Sequence, residues 1–264
     1  MGVIVSLIAT AICAVFYIRM IKREVPERIG KKAAWLPIAI GFLAPLASTA
    51  LMMLESLIVM KTVGKTISEL IPSEAINSFV GAFLAAGFPE ELVKLLILLL
   101  VVKIVKPKNV YEYGLLGAGV GMGFTLLEDA LYGGGSVVTA LIRIPFFGMH
   151  MSFNLIMGIL LGLARYNREN NTGTPGLYSC MVFLVPVCWH TLFDTATTFN
   201  PALKENPTLS ETMTTVYAVA ALVLVVVSIA AQFVLLHRFK KKTDDYCSMT
   251  FKVKETDEKV SVNE

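Results

Sequence analysis

Apolar residues in this chain gather into long blocks, each closed by a short polar or basic segment. Several blocks exceed the ~18 residues that mark a candidate membrane-spanning helix. They predict about seven spans: Gly2–Ile18, Ala33–Ile58, Ser78–Ile104, Val110–Tyr132, Ile144–Ala164, Leu177–Phe199 and Met213–Leu236. Pro37 and Pro45 predict kinks in the second span, because proline lacks the N–H that a helix ladder needs. Gly117 with Gly121, Gly119 with Gly123, and Gly158 with Gly162 form GxxxG pairs, which predict close backbone packing of the fourth and fifth spans. Between the second and third spans, Ile67, Leu70 and Ile71 fall at helical spacing, so a short interfacial helix is expected there.

Composition sharpens this picture. Of the 264 residues, 55% are hydrophobic and 16% charged, and mean hydropathy is +0.68. Soluble domains carry roughly 25% charged residues, so an ordinary cytosolic protein is excluded. Disorder needs low hydrophobicity and is excluded too. Seven helices of ~20 residues place about half the chain in lipid and leave no room for a second domain. The expected architecture is all-α, a polytopic transmembrane helix bundle over residues 1–242. Its motif-bearing part lies at 78–199, and a polar, flexible tail follows at 243–264.

Charge then orients the bundle. With loops alternating between two sides, fifteen Lys and Arg fall on one side and four on the other. The rich side holds Arg19 to Lys32, Lys103 to Lys108, Arg165 with Arg168, and Arg238 to Lys242. Lys and Arg accumulate on the cytoplasmic side, so the N-terminus is expected outside and the tail in the cytoplasm. The expected location is the plasma membrane. No basic segment precedes the first apolar block, so a cleavable leader is not expected. Cys13, Cys180, Cys188 and Cys247 show no C-x-x-C or zinc-ribbon spacing. The three within apolar blocks are expected to be small buried hydrophobes.

Against this background several polar residues stand out. An ionisable group at mid-membrane costs at least ~2.5–3.5 kcal/mol on insertion scales. Yet the third span carries Glu90, Glu91 and Lys94 behind Pro89, and the fourth carries Glu128 and Asp129 ahead of Tyr132. The fifth carries His150 and Asn154, and the sixth His190 and Asp194. Counted at ~1.5 Å per residue from the outer ends, His150 lies about 10 Å deep, His190 about 13 Å, and Asp194 and Glu128 about 7 Å. Glu90 and Glu91 come out about 18–20 Å deep. Four helices thus aim acids and imidazoles into one slab between the outer surface and the midplane.

Spacing assigns roles within each helix. Glu90 and Lys94 are i,i+4 neighbours, so Lys94 is expected to neutralise Glu90 and leave Glu91, about 100° round the helix, free. His190 and Asp194 share a face, as do His150 and Asn154. The set suggests water activation in the membrane. Two imidazoles and a carboxylate make a catalytic zinc ligand set, here Glu128, His150 and His190 with Asp194 as substitute, and Glu91 as base. Without a metal, Glu91 activates water while the histidines stabilise the oxyanion. Both versions stay open. Taken singly, a Glu–Lys pair is equally a buried ion pair that fixes packing. Asp129 and Tyr132 face either the site or the outer loop, and Glu55 reads as a snorkelling residue.

In order, Glu90-Glu91-x-x-Lys94, Phe124-x-x-x-Glu128-Asp129-x-x-Tyr132, His150 and His190-x-x-x-Asp194 resemble the PrsW family of intramembrane proteases. They are more distantly similar to CAAX-prenyl and Abi-type membrane endopeptidases. Those usually place Arg at a longer spacing after the Glu pair and Asn after the last His, so Lys94 and Asp194 fit PrsW better. The resemblance covers about Ser78–Phe199. It implies site-1-type cleavage of a single-span membrane protein, such as an anti-sigma factor, near the outer face. It also implies Glu90 and Glu91 as catalytic, with Glu128, His150 and His190 in the site. The family is labelled both metalloprotease and glutamic protease, so Zn2+ stays an open cofactor.

The expected function is therefore an intramembrane endopeptidase whose partners are the bilayer and a membrane-protein or peptide substrate, with no nucleic acid. A proton- or ion-coupled transporter and a non-catalytic membrane scaffold are the competing readings, since intramembrane acids also form ion relays. No internal repeat of the kind many transporters show is found.

Overall fold

The protein is described here by a computed structural model covering residues 2–24, 28–63, 71, 73–133, 146, 148–203 and 209–251. Its regular elements are helical: α1 (Gly2–Arg23), α2 (Lys31–Gly41), α3 (Ala44–Val63), α4 (Glu74–Ala82), a π-helical turn (Phe83–Gly87) and α5 (Phe88–Val105). They continue as α6 (Val110–Gly133), α7 (Met149–Asn170), α8 (Pro175–Ala196), a 3-10 turn (Pro201–Leu203), α9 (Glu211–Lys241) and α10 (Thr243–Ser248). Among the described residues, four stretches are long and apolar enough to cross a membrane: Lys31–Lys61, Val110–Leu131, Pro175–Ala196 and Glu211–Lys241. The unit from α4 to α5 is broken by its π turn and carries Glu90, Glu91, Lys94 and Lys103.

Proline shapes two of these elements. The expected kink in the second span falls at Phe42 and Leu43, a two-residue turn between α2 and α3 just before Pro45. Pro37 is accommodated inside α2. The third span widens into π geometry at Phe83–Gly87, directly before Pro89. A ring without an N–H leaves the carbonyl four residues earlier without its partner, and widening the preceding turn absorbs that loss. Such π turns gather at functional sites.

The hub is α6, against which α1, α2 and α7 pack. Its glycines work on two faces. A Cβ at Gly117 would strike the Asn154 carbonyl oxygen of α7, and one at Gly121 the His150 carbonyl oxygen. A Cβ at Gly123 would strike the Ile38 carbonyl oxygen of α2. Gly41 and Gly158 return the contact, against the carbonyl oxygens of Val120 and Tyr113. The GxxxG pairs therefore mark backbone-to-backbone seams, as expected. Gly121→Val should push α7 off α6 and lower stability by ~1–3 kcal/mol. A lower thermal midpoint in detergent, with weaker cleavage because His150 moves, checks this.

The basic helix ends gather at one end of the bundle. Tyr111, in the first turn of α6, donates its hydroxyl to the Met20 carbonyl of α1 at 2.8 Å and stacks on Phe239 of α9 at 4.5 Å. Arg165 of α7 donates to the Tyr113 hydroxyl at 3.3 Å. The start of the tail is not loose, contrary to expectation. Residues 249–251 run along 108–110, with the Phe251 N–H on the Lys108 carbonyl at 3.1 Å and the Val110 N–H on the Met249 carbonyl at 3.2 Å. The Arg165 guanidinium lies 4.1 Å from the Phe251 ring centroid, which anchors the strap. Only Cys13 is buried; Cys180 and Cys188 are exposed on α8, so the expectation of buried cysteines holds for one of the three. The expected interfacial helix falls mostly on 64–70, outside the described residues, as do 252–264 of the tail.

Candidate active site

The far half of the bundle brings four helices together around Lys94. The first turn of α5 supplies Glu90 and Glu91, the last third of α6 supplies Glu128, the first turn of α7 His150, and the end of α8 His190 and Asp194. Lys94 is fully buried, and its Nζ lies 3.0 Å from Glu90 Oε2, 3.0 Å from Glu91 Oε1 and 3.1 Å from His150 Nδ1. An ammonium has three donors and no acceptor, so these three contacts use it completely. Beneath it sits the Phe124 ring, with Nζ 3.6 Å from the centroid. A cation over a ring face is attracted by the ring quadrupole, more strongly when desolvated.

Lys94 also decides the His150 tautomer. A nitrogen that accepts from an ammonium carries no proton, so Nδ1 is the acceptor and Nε2 holds the N–H. That N–H donates to Glu128 Oε2 at 2.7 Å. His190 has the opposite arrangement. Its Nδ1–H donates to Glu91 Oε1 at 2.8 Å, which leaves Nε2 toward Glu90 and Asp194. Glu90 Oε2 is 3.8 Å and Asp194 Oδ2 3.6 Å from that Nε2. The His190 ring stacks on Phe153 at 5.0 Å, and the two imidazoles meet edge to face at 5.2 Å.

The six acids and histidines singled out from the sequence therefore lie in one cluster, with Lys94 at its centre. Their division of labour differs from the expectation. Glu91 is not the free acid: it is buried on all sides and its Oε1 meets both Lys94 and His190. Of the two adjacent glutamates it is Glu90 that is partly exposed, at 19%. The ligand set also shifts. Donor atoms of Glu90, His150 and His190 lie within 4.8 Å of one another, so Glu90 stands where Glu128 was expected. Glu128 instead holds His150 Nε2.

Among the supporting residues, Asn154 is fully buried and donates to the His150 backbone carbonyl at 3.1 Å, not to the ring. Asp129 turns to α1, where the Thr10 hydroxyl donates to it at 3.1 Å. Tyr132 lies in the last turn of α6, outside the residues whose side chains are described. The sequence reading passed over Phe153, for which an aromatic in an apolar span offers no signal. It also left Phe124 without a role, although the spacing Phe124-x-x-x-Glu128 puts that ring one turn below a site acid. Thr191 Oγ1 is buried without a hydrogen-bond partner among the described residues, and it packs where a Cβ on Gly87 of the π turn would go.

The profile described as PrsW family intramembrane metalloprotease matches residues 31–230. The chain belongs to this family. No curated protein and no solved structure matches it. As a PrsW family member the chain is an integral membrane peptidase. The match begins at the first residue of α2 and takes in all four site-bearing helices. It leaves out α1, whose Thr10 nevertheless reaches Asp129 beside the site.

Proposed function

We propose that this PrsW family protease hydrolyses a peptide bond in a single-span membrane protein, by water activated at Glu90, His150 and His190. The observation that carries the reading is the convergence of these three donors, from three helices, within 4.8 Å inside a buried cluster. Hydrolysis in lipid needs a water, a group to take its proton and donors for the developing oxyanion. A peptide in a membrane span offers none of these itself.

The donor types fit Zn2+, with His150 offering Nδ1 once Lys94 releases it, because its Nε2–H is held by Glu128. Two imidazoles and one carboxylate are a common catalytic zinc set, with ligand bonds of ~2.0–2.2 Å. Glu90 Oε2 and His190 Nε2, 3.8 Å apart, are spaced close to two corners of such a site. Glu91 on His190 Nδ1 is the carboxylate–histidine support that orients a metal-binding ring. When bound, zinc would polarise the scissile carbonyl and make water a better nucleophile near neutral pH.

The remaining roles follow from exposure. Side chains at 0% cannot meet water, so Lys94 and Glu91 are positioning residues. Lys94 offsets the two glutamates and holds His150 Nδ1, and Glu91 holds the His190 ring. Glu128, at 18% exposure, and Asp194, at 16%, border the imidazoles. Glu128 takes the proton of the attacking water, and Asp194 steadies His190 Nε2. The proposed topology has seven spans, formed by α1, α2 with α3, α4 with α5, then α6 to α9. The gathered basic ends face the cytoplasm of a plasma membrane, which puts the site in the outer half. An anti-sigma factor is a substrate of the class that this geometry would serve.

Elemental analysis with a single-span reporter tests the assignment. Purified protein should carry stoichiometric zinc, lost in Glu90→Gln, His150→Ala and His190→Ala but kept in Glu128→Gln, with cleavage lost in all four. An active preparation free of metal would return the reaction to the glutamates alone. Full cleavage by both histidine variants would remove the site from the mechanism.

A further inference from the structure

The end of the bundle remote from Glu128 contains a cavity, about 240 Å³ in volume, between α1 and α9. It lies near Tyr111, and Tyr111 and Glu128 are about 25 Å apart along α6 at ~1.5 Å per residue. The cavity is thus separate from the catalytic cluster. Its two walls repeat one pattern. On α1 it is lined by Phe16, Arg19, Met20 and Arg23, and on α9 by Phe233, Leu236, His237, Phe239 and Lys240. Apart from Phe239 at the back, each set runs i, i+3, i+4, i+7, which is one helix face. On each wall the deeper end is aromatic or aliphatic and the end toward the helix terminus is cationic or imidazole.

Charge in this cavity is one-sided. No carboxylate is among the described residues that line it. Glu24, the acid next to Arg23, is turned inward at 1% exposure, and its Oε2 accepts the Ile29 N–H at 2.7 Å. Tyr111 closes the back by bridging Met20 and Phe239. The rest of α9 is lined with exposed apolar side chains, including Val226, Val227, Phe233 and Val234, as expected of a helix surrounded by acyl chains. The gap between the two helices is therefore a slot with hydrocarbon-facing walls and three fixed cations at its mouth.

We propose that this slot binds an anionic phospholipid. The phosphate ester meets Arg19, Arg23 and Lys240, His237 borders it, and an acyl chain lies along Phe16 and Phe233. Guanidinium groups match phosphate oxygens as a planar fork, and basic pockets between helices at the cytoplasmic surface suit such headgroups. A free phosphate would satisfy the cations but leave the two aromatic walls uncovered. A zwitterionic lipid would bring a second cation into a cavity that has no acid to receive it.

The test uses the full chain, delipidated in detergent and titrated with dioleoyl phosphatidylglycerol, dioleoyl phosphatidylcholine or soluble glycerol phosphate. Native mass spectrometry and the thermal midpoint are read together. The phosphatidylglycerol should be retained and raise the midpoint, and the other two should do neither. Removing the three cations in Arg19→Ala/Arg23→Ala/Lys240→Ala should weaken its binding by at least about tenfold. Removing three cations outside the slot, in Lys22→Ala/Lys31→Ala/Lys32→Ala, should leave it unchanged. Phe233→Asn, with every charge kept, should weaken it as well. Equal weakening in both triple variants would mean diffuse attraction and overturn the site, and glycerol phosphate binding as well as the lipid would assign a soluble anion instead. Should the slot triple variant not fold, Arg23→Gln against Lys22→Gln carries the same comparison.

Discussion

Lys94→Met is expected to cost the folded protein ~3–5 kcal/mol and to leave no measurable cleavage, because it removes one partner of a buried ionic cluster. The reason lies in the contacts. Glu91 has no exposure, and its Oε2 already lacks a hydrogen-bond partner among the described residues. Once the ammonium is gone, Glu90 and Glu91 face each other's charge with only His190 between them, and His150 Nδ1 loses its donor. The paired replacement separates charge from packing. In Lys94→Met/Glu91→Gln both members are neutral, and replacing a whole buried pair is far less costly than breaking one. The double variant should therefore regain much of the lost thermal midpoint yet remain inactive. Equal midpoints for wild type and Lys94→Met would show that Lys94 is not what holds the acids together.

Glu90→Gln and Glu91→Gln are expected to fail in different ways, although the residues are adjacent. Glu90→Gln removes a partly exposed carboxylate and should lower kcat/KM by ~10³ or more, about 4 kcal/mol of transition-state stabilisation. Its midpoint should fall less than that of Glu91→Gln, because both pair with Lys94 at 3.0 Å but only Glu90 is partly exposed. Glu91→Gln should lose stability first, since it leaves Lys94 short of a charge partner. It should lose activity by ~10–100-fold, the range for a residue that orients a ligand through hydrogen bonding. A Gln carbonyl can still accept from His190 Nδ1–H, so a residue of activity is the mark of a positioning role. Measured kcat, KM and midpoints for the two variants decide the matter. If Glu91→Gln were the more inactive and the more stable of the pair, the roles would be exchanged.

Much of the fold was legible because the bilayer constrains the chain so strongly. A backbone in hydrocarbon must satisfy its own hydrogen bonds, so apolar blocks of sufficient length read as helices. The small-residue seams were legible for a similar reason, since Gly117, Gly121 and Gly158 sit where helix backbones touch. Element ends were less so. The tail from residue 243 carries few apolar positions, so its polar pattern suggests looseness at its start, although Phe251 is held under Arg165 and against Tyr113. That docking depends on partners over eighty residues away, which no local pattern encodes.

The membership of the polar cluster was determined by sequence alone, because an acid or imidazole in a lipid-spanning block is costly enough to demand a shared purpose. Which acid of the pair is partly exposed was decided only by the tertiary structure. Helix periodicity separates Glu90 from Glu91 by about 100° but does not say which direction is inward. The answer came from α8, whose His190 meets Glu91, and from α7, whose His150 takes the third donor of Lys94. Spacing along one helix sets relative angles, and the absolute rotation is set by what the neighbouring helices bring to it.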